Sequence, residues 1–182
     1  MVRSVRFRSL LIALVVCALA SACGPARSSS TSSQSRKPQP AGRLPSSISQ
    51  MVCAREAQQE LAQALGVQAT VEGRTWIAHR YSCSYVYADG KIGLSVQELS
   101  SWNETFAYFR GLGEQLGNTE SLADLGQGAF RTDNGDVVVR KDWKVLLVDI
   151  GGLPNEFGNP PTSPSDVAYT VADVILACWA GD

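Results

Sequence analysis

Along this chain the apolar positions change their spacing three times. Ser9 to Ala20 is almost wholly apolar. Gly24 to Pro45 holds almost no apolar side chain larger than alanine, and from Ser46 onward apolar and polar positions alternate with a structural period. Within that last part, Met51, Val52, Leu61 and Leu65 form one helical face after the box Ser47-Ile48-Ser49-Gln50, with Gly66 as the stop. Ser101-Trp102-Asn103-Glu104 repeats the capping signal, and Trp102, Phe106, Phe109, Leu112 and Leu116 follow at helical spacing before Gly117. A third helix starts at Ser163-Pro164-Ser165-Asp166, with proline at its first position, and carries Val167, Val171, Val174, Ile175 and Cys178 on one face.

Between the helices the period drops to two. A two-residue turn at Asp89-Gly90 pairs Tyr87 with Ile92, Tyr85 with Leu94 and Cys83 with Val96, which places the large apolar residues of both strands on one face. Asn134-Gly135 predicts a second hairpin of this kind, and Asp142-Trp143 turns the chain into a strand from Val145 to Ile150. Phe130, Val137, Val139, Leu146 and Val148 are then expected on a common face. The fold class that follows is α+β: a curved antiparallel sheet of about five or six strands with three helices packed on one side, in the order α-β-β-(β)-α-β-β-β-α.

The first two segments bear on location. Arg3, Arg6 and Arg8 precede an apolar run too short to span a bilayer, which needs about 20 residues. The run ends in Ala20-Ser21-Ala22, so residues 1–22 read as a signal peptide. Small residues immediately before Cys23, with Leu19 nearby and Gly24 after, resemble the lipobox of bacterial lipoproteins; Ala20 stands where that motif usually has Leu, Val or Ile. The reading is that Cys23 is acylated, as with palmitate, and becomes the new N-terminus, with plain secretion as the alternative. Residues 23–45 are then a lipidated cysteine and a Ser/Pro-rich tether. A flexible coil of the 22 residues from Gly24 to Pro45 spans about 25 Å. Residues 46–182 form a single extracytoplasmic domain, held to the outer face of the cell membrane.

Five cysteines sharpen this picture. Cys17 leaves with the signal, and if Cys23 is acylated then Cys53, Cys83 and Cys178 remain. In an oxidising compartment Cys53 with Cys83 is the favoured bridge, joining the first helix to the sheet. Pairing of either with Cys178 stays open, and otherwise Cys178 is a small buried hydrophobe.

The layout resembles small actinobacterial lipoproteins of a family of unknown function, related to the extracytoplasmic sensor domains of some bacterial serine/threonine kinases. The resemblance rests on Cys53 opening a helix that ends in Leu65-Gly66, on "CSY" at Cys83 to Tyr85, on "LGQGAF" at Leu125 to Phe130, and on the closing helix. Tyr85 stands where many relatives have tryptophan. The resemblance implies an extracytoplasmic binding or sensing domain and no specific activity.

Charge and chemistry exclude more than they suggest. Of 16 Lys and Arg, three leave with the signal, so 13 face 17 Asp and Glu and the mature chain is at −4. Such a balance leaves no basic stripe for nucleic acid or for anionic lipid. His79 is the lone histidine, the mature cysteines are too far apart in sequence for a metal motif, and no nucleophile elbow or phosphate loop is present. Asp133 and Asp136 flank the Asn134-Gly135 turn as a solvated hairpin tip. The reading is therefore non-catalytic, with no cofactor. The candidate binding surface is the sheet face away from the helices, where Val138, Val145 and Leu147 make an apolar patch edged by Arg131 and Arg140. Its expected partner is an amphipathic anionic ligand, a wall fragment or an acidic protein segment, unless the last helix or a loop covers the patch or the sheet stacks in a dimer; the alternative function is an envelope hydrolase or transferase.

Overall fold

The computed structural model describes residues 38–179; the leader, Cys23 and most of the tether lie outside them. The elements run α1 (Ser47–Met51), α2 (Arg55–Leu65), β1 (Thr70–Ile77), β2 (Arg80–Val86), β3 (Lys91–Glu98), α3 (Trp102–Leu116), β4 (Glu120–Leu122), β5 (Gly128–Arg131), β6 (Val137–Lys141), β7 (Lys144–Gly152) and α4 (Pro164–Trp179). The strands form one antiparallel sheet in the order β1-β2-β3-β7-β6-β5-β4. The α+β class holds, with seven strands and four helices among the described residues rather than five or six and three.

The capping signals place the helix starts within a residue. Ser101 accepts from the Glu104 amide at 3.2 Å, the Glu104 carboxylate accepts in turn from the Ser100 amide, and the Ser163 hydroxyl accepts from the Asp166 amide. At the first helix the cap is Ser46 rather than Ser47. The expected single helix is also interrupted: Ala54 is extended, at φ −78° and ψ 163°, and a new helix starts at Arg55. The interruption coincides with Cys53, whose disulfide to Cys83 draws the chain onto β2. Around that junction Arg74 donates to the Cys53 carbonyl and the Tyr85 hydroxyl donates to the Val52 carbonyl at 2.8 Å. Burial, then the neighbouring Tyr87, hold the Tyr85 phenol well above its usual pKa, so it remains a donor.

Two hairpins depart from the expected register. Tyr85 faces Ile92 and Cys83 faces Leu94, a slip of two residues that leaves every side chain on its expected face. The chain reverses at Ala88 and Asp89, with the Tyr87 amide bonded to the Gly90 carbonyl. Gly90 is needed for approach instead: a Cβ there would lie 2.9 Å from the Gly152 carbonyl oxygen. The second slip is one residue and has larger effects. Thr132 and Asp136 close a three-residue loop that ends in Gly135 at φ 88°, the geometry of a type I turn followed by a left-handed glycine. Phe130 therefore pairs with Val138 and Arg131 with Val137, which moves Phe130 to the face of Val138 and Arg131 to the opposite one.

Apolar rows on both faces explain the layers. On one face Cys83, Tyr85, Ile92, Leu94, Val96, Leu146 and Val148 pack with Leu61 of α2 and with Val167, Val171 and Ile175 of α4. On the other, Phe130, Val138 and Val145 are buried beneath Tyr108, Phe109, Leu112 and Leu116 of α3, a second and smaller core. Helices thus lie on both sides of the sheet rather than one. The apolar patch expected on the second face is itself the reason, because α3 is what removes it from water.

Candidate functional site

The expected site does not assemble as an open surface. Val138 and Val145 are buried and Leu147 is half-buried under α3. Arg140 lies below the same helix, with its guanidinium carbon 4.3 Å from the centre of the Phe106 ring and 5.8 Å from that of Trp102. It also donates to the Gln127 carbonyl, and burial pushes its pKa down. Arg131, on the far face, pairs with Glu120 at 2.9 Å and donates to the Ser165 carbonyl at the start of α4. The two arginines do not edge one patch. Each anchors a helix to the sheet.

What α3 leaves open is the β1–β3 half of the same face. Across the strands the registers set up three rows: Ile77, Arg80, Gln97, Val145 and Arg140; Thr75, Ser82, Ser95, Leu147, Val138 and Phe130; and Glu72, Ser84, Gly93 and Asp149. In the middle row the side chains change from hydroxyl to hydrocarbon between β3 and β7, where the cover of α3 begins. The uncovered half holds a depression of about 290 Å³ lined by Arg80, Ser82, Ser84, Gly93, Ser95 and Asp149. Gly93 forms its floor, and Thr75 shares a 2.8 Å hydrogen bond with Ser82 at its edge. Asp149 and Arg80 stand at opposite ends of this hydroxyl field. A second depression, of about 370 Å³, lies between the end of α3 and Phe130 and is lined by Phe109, Arg110, Gly113, Glu114 and Asn118.

In the sequence, Ser82, Ser84, Gly93 and Ser95 fall on the polar face of their strands, opposite Tyr85 and Leu94. The available signal was a run of cross-strand hydroxyls interrupted by glycine, where a plain solvent face more often carries long charged side chains. The β1 strand was harder to see, since it is mostly exposed on both sides and turns into β2 at Ala78 and His79, both with positive φ and neither a glycine. His79 sits in that turn.

His79 has a structural environment. Its Nδ1 lies 3.0 Å from the Gly42 carbonyl oxygen, and its ring stacks edge-on to Trp76 at 5.7 Å. Trp76 Nε1 donates to the Arg43 carbonyl, and the Ala41 amide donates to Leu99. These contacts lay residues 38–45, expected to be tether, across one end of the sheet, so the folded unit begins before Ser46. Beyond this strap the buried Glu98 carboxylate accepts from the Ser46 amide at 2.8 Å, the Ser46 hydroxyl at 2.7 Å and the Ser49 hydroxyl at 2.5 Å. The disulfide joins Cys53 and Cys83, and Cys178 lies outside it, half-buried on α4 instead of fully buried. Among the described residues no group of His, Cys, Asp and Glu is arranged to hold a metal, and no helix is long and apolar enough to cross a membrane.

In comparisons with family models, curated proteins and solved structures, the chain matches none.

Proposed function

We propose that this chain is a membrane-anchored extracytoplasmic lipoprotein, held by acylated Cys23, that binds or senses a component of the cell envelope without catalysis. The ligand surface is the open β1–β3 half of the sheet. The observation that supports this reading is the asymmetry of one face: α3 shields its apolar half, while the other half stays open as a concave field of serine hydroxyls over Gly93. Each hydroxyl both donates and accepts, so the field suits a ligand that does the same at several points, such as a saccharide of the wall. Arg80 and Asp149 at its ends supply direction and select against a ligand with charges in the wrong order. This site replaces the one built on Arg131 and Arg140. The resemblance to small actinobacterial lipoproteins is consistent with this role.

Filling the groove tests it. Ser84 lies beside Gly93, and an aromatic side chain next to a strand glycine packs over the bare backbone, so Ser84→Tyr should leave stability unchanged within about 0.5 kcal/mol. The same variant should lose capture of soluble saccharide fragments released from the wall, measured by native mass spectrometry. Equal capture by both proteins refutes the groove.

A further inference from the structure

The end of the domain where the strap lies has a character of its own. All four tryptophans of the chain are there: Trp76 before the β1–β2 turn, Trp102 at the start of α3, Trp143 in the β6–β7 turn, and Trp179 at the end of α4, 5.9 Å from Lys141 Nζ. The large apolar side chains that the fold leaves exposed are there too, namely Leu44 (78%), Ile77 (70%), Phe106 (45%) and Trp102 (38%). Ile77 shares a cross-strand row with Arg140, on whose guanidinium Phe106 and Trp102 stack. Four strand spacings separate the two ends of this row, about 19 Å, so these groups border one end of one sheet face. Arg43 and Arg80 stand among them. Asp89, Asp133, Asp149 and Asp166 lie toward the opposite end, around the β2–β3 and β5–β6 turns and the start of α4, while Glu104, Asp124 and Asp142 stay at the apolar end beside Arg43, Arg80, Lys141 and Lys144.

We infer that this end is a lipid-docking surface, which lies on the outer leaflet of the membrane that holds the anchor. The inference rests on the anchored reading of Cys23. Between Cys23 and Pro38 there are only 14 intervening residues, and Ala41, three residues after Pro38, is bonded to Leu99 at this end. Even at full extension such a segment reaches about 50 Å, and as a coil about 20 Å, so the exposed apolar end is held within a domain's diameter of the bilayer. Tryptophan and phenylalanine with neighbouring arginines are the side chains that partition into the headgroup boundary, their rings below and the guanidinium groups at the phosphates. Arg80 borders both this end and the serine groove, whose other limit, Asp149, lies farther from the bilayer.

Intrinsic fluorescence reports on this end through the exposed Trp102 and the half-buried Trp76 and Trp143, while Trp179, 3% exposed in the main core, gives a constant background. The native lipoprotein, purified from its own membrane, is first weighed intact. It is then reconstituted into vesicles of phosphatidylcholine and phosphatidylglycerol whose acyl chains carry bromine, a contact quencher. Docking predicts quenching of the anchored wild type. It also predicts at least a twofold smaller quenching for Leu44→Glu/Ile77→Glu, two positions exposed enough to accept glutamate, with unchanged circular dichroism and unchanged pelleting with vesicles. The two possible failures are distinct. A mass without acyl chains overturns the anchor and the docking with it, whereas acylated protein that pellets yet shows no quenching, or equal quenching in both proteins, overturns only the docking. Cross-linked dimers that form through this end in place of quenching would assign the surface to a second copy and likewise refute the lipid.

Discussion

Replacing Glu98 should disclose how the start of the domain is fastened. Its carboxylate is 4% exposed, and one oxygen, Oε1, accepts from three donors, two on Ser46 and one on Ser49. Hydrogen bonds to a charged partner contribute about 1.5 to 3 kcal/mol each, and a buried donor left without an acceptor costs about 1 to 3 kcal/mol. Ser46 is half-buried and recovers water when the carboxylate is removed. Ser49 is fully buried and does not. Glu98→Ala is therefore expected to cost about 3 to 4 kcal/mol, below the sum of three bonds because the ionised group no longer has to be desolvated. Glu98→Gln keeps an oxygen acceptor but loses the charge that roughly doubles such bonds, and should cost about 1 to 2 kcal/mol. Ser49→Ala should cost about 1 to 2 kcal/mol, and the double variant with Glu98→Ala should fall short of additivity by about 1 kcal/mol, as residues in one network do. Urea unfolding followed by circular dichroism measures all four. A Glu98→Ala protein within about 0.5 kcal/mol of the wild type, or a strictly additive double variant, would show that the cluster is not coupled.

Two further outcomes follow from the core. The Cys53–Cys83 bridge closes a loop of 30 residues, so replacing both cysteines by alanine should cost about 3 to 4 kcal/mol in urea, with the native near-ultraviolet spectrum retained because Arg74 and Tyr85 still clamp the junction; loss of that spectrum in the folded variant would contradict the clamp. Asp136 is nearly buried, and desolvation, aided by the Asp149 charge, raises its pKa against the opposing bonds from the Ile150 amide and Thr132. A raised carboxyl pKa favours folding below the unfolded value of about 3.9 and loses that favour as pH rises through the folded value. Asp136→Asn should thus be more stable than the wild type at pH 7, with the gap shrinking toward pH 4. A gap that widens on acidification would reverse the sign of the argument.

The parts of the fold that were legible in the sequence are those set by short-range chemistry. Ser101 and Ser163 with their acidic partners three residues on fix two helix starts, and a period of two assigns Tyr85, Leu94, Leu146 and Val148 to one face whichever pair of residues makes the turn. What the pattern could not fix is the length of a turn. Asn134-Gly135 fits a two-residue and a three-residue loop, and the extra residue inverts β5, carrying Phe130 beneath α3 and Arg131 out to Ser165. The binding surface inferred from that register was an apolar patch, and an apolar patch of this size attracts a helix of its own chain before any ligand. The groove escaped notice for the converse reason. Polar residues are what an open antiparallel face is expected to carry, and only the short hydroxyls of Ser82, Ser84 and Ser95 in place of long charged side chains, with the depression over Gly93, set this one apart.

The strap of residues 38–45 also has a mechanical meaning. A pull transmitted along the chain from the N-terminal side meets the Ala41, Gly42 and Arg43 contacts one after another, each a single hydrogen bond of about 0.5 to 1.5 kcal/mol net, so they yield by peeling rather than all at once. Eight residues released this way add about 27 Å of reach before any force arrives at Ser46. There the load meets the charged Glu98 cluster, and seven residues later the Cys53–Cys83 bridge passes it covalently to the sheet. The domain therefore has a sacrificial stage in series with a locked one: under tension it lengthens first and keeps its groove intact while it does so.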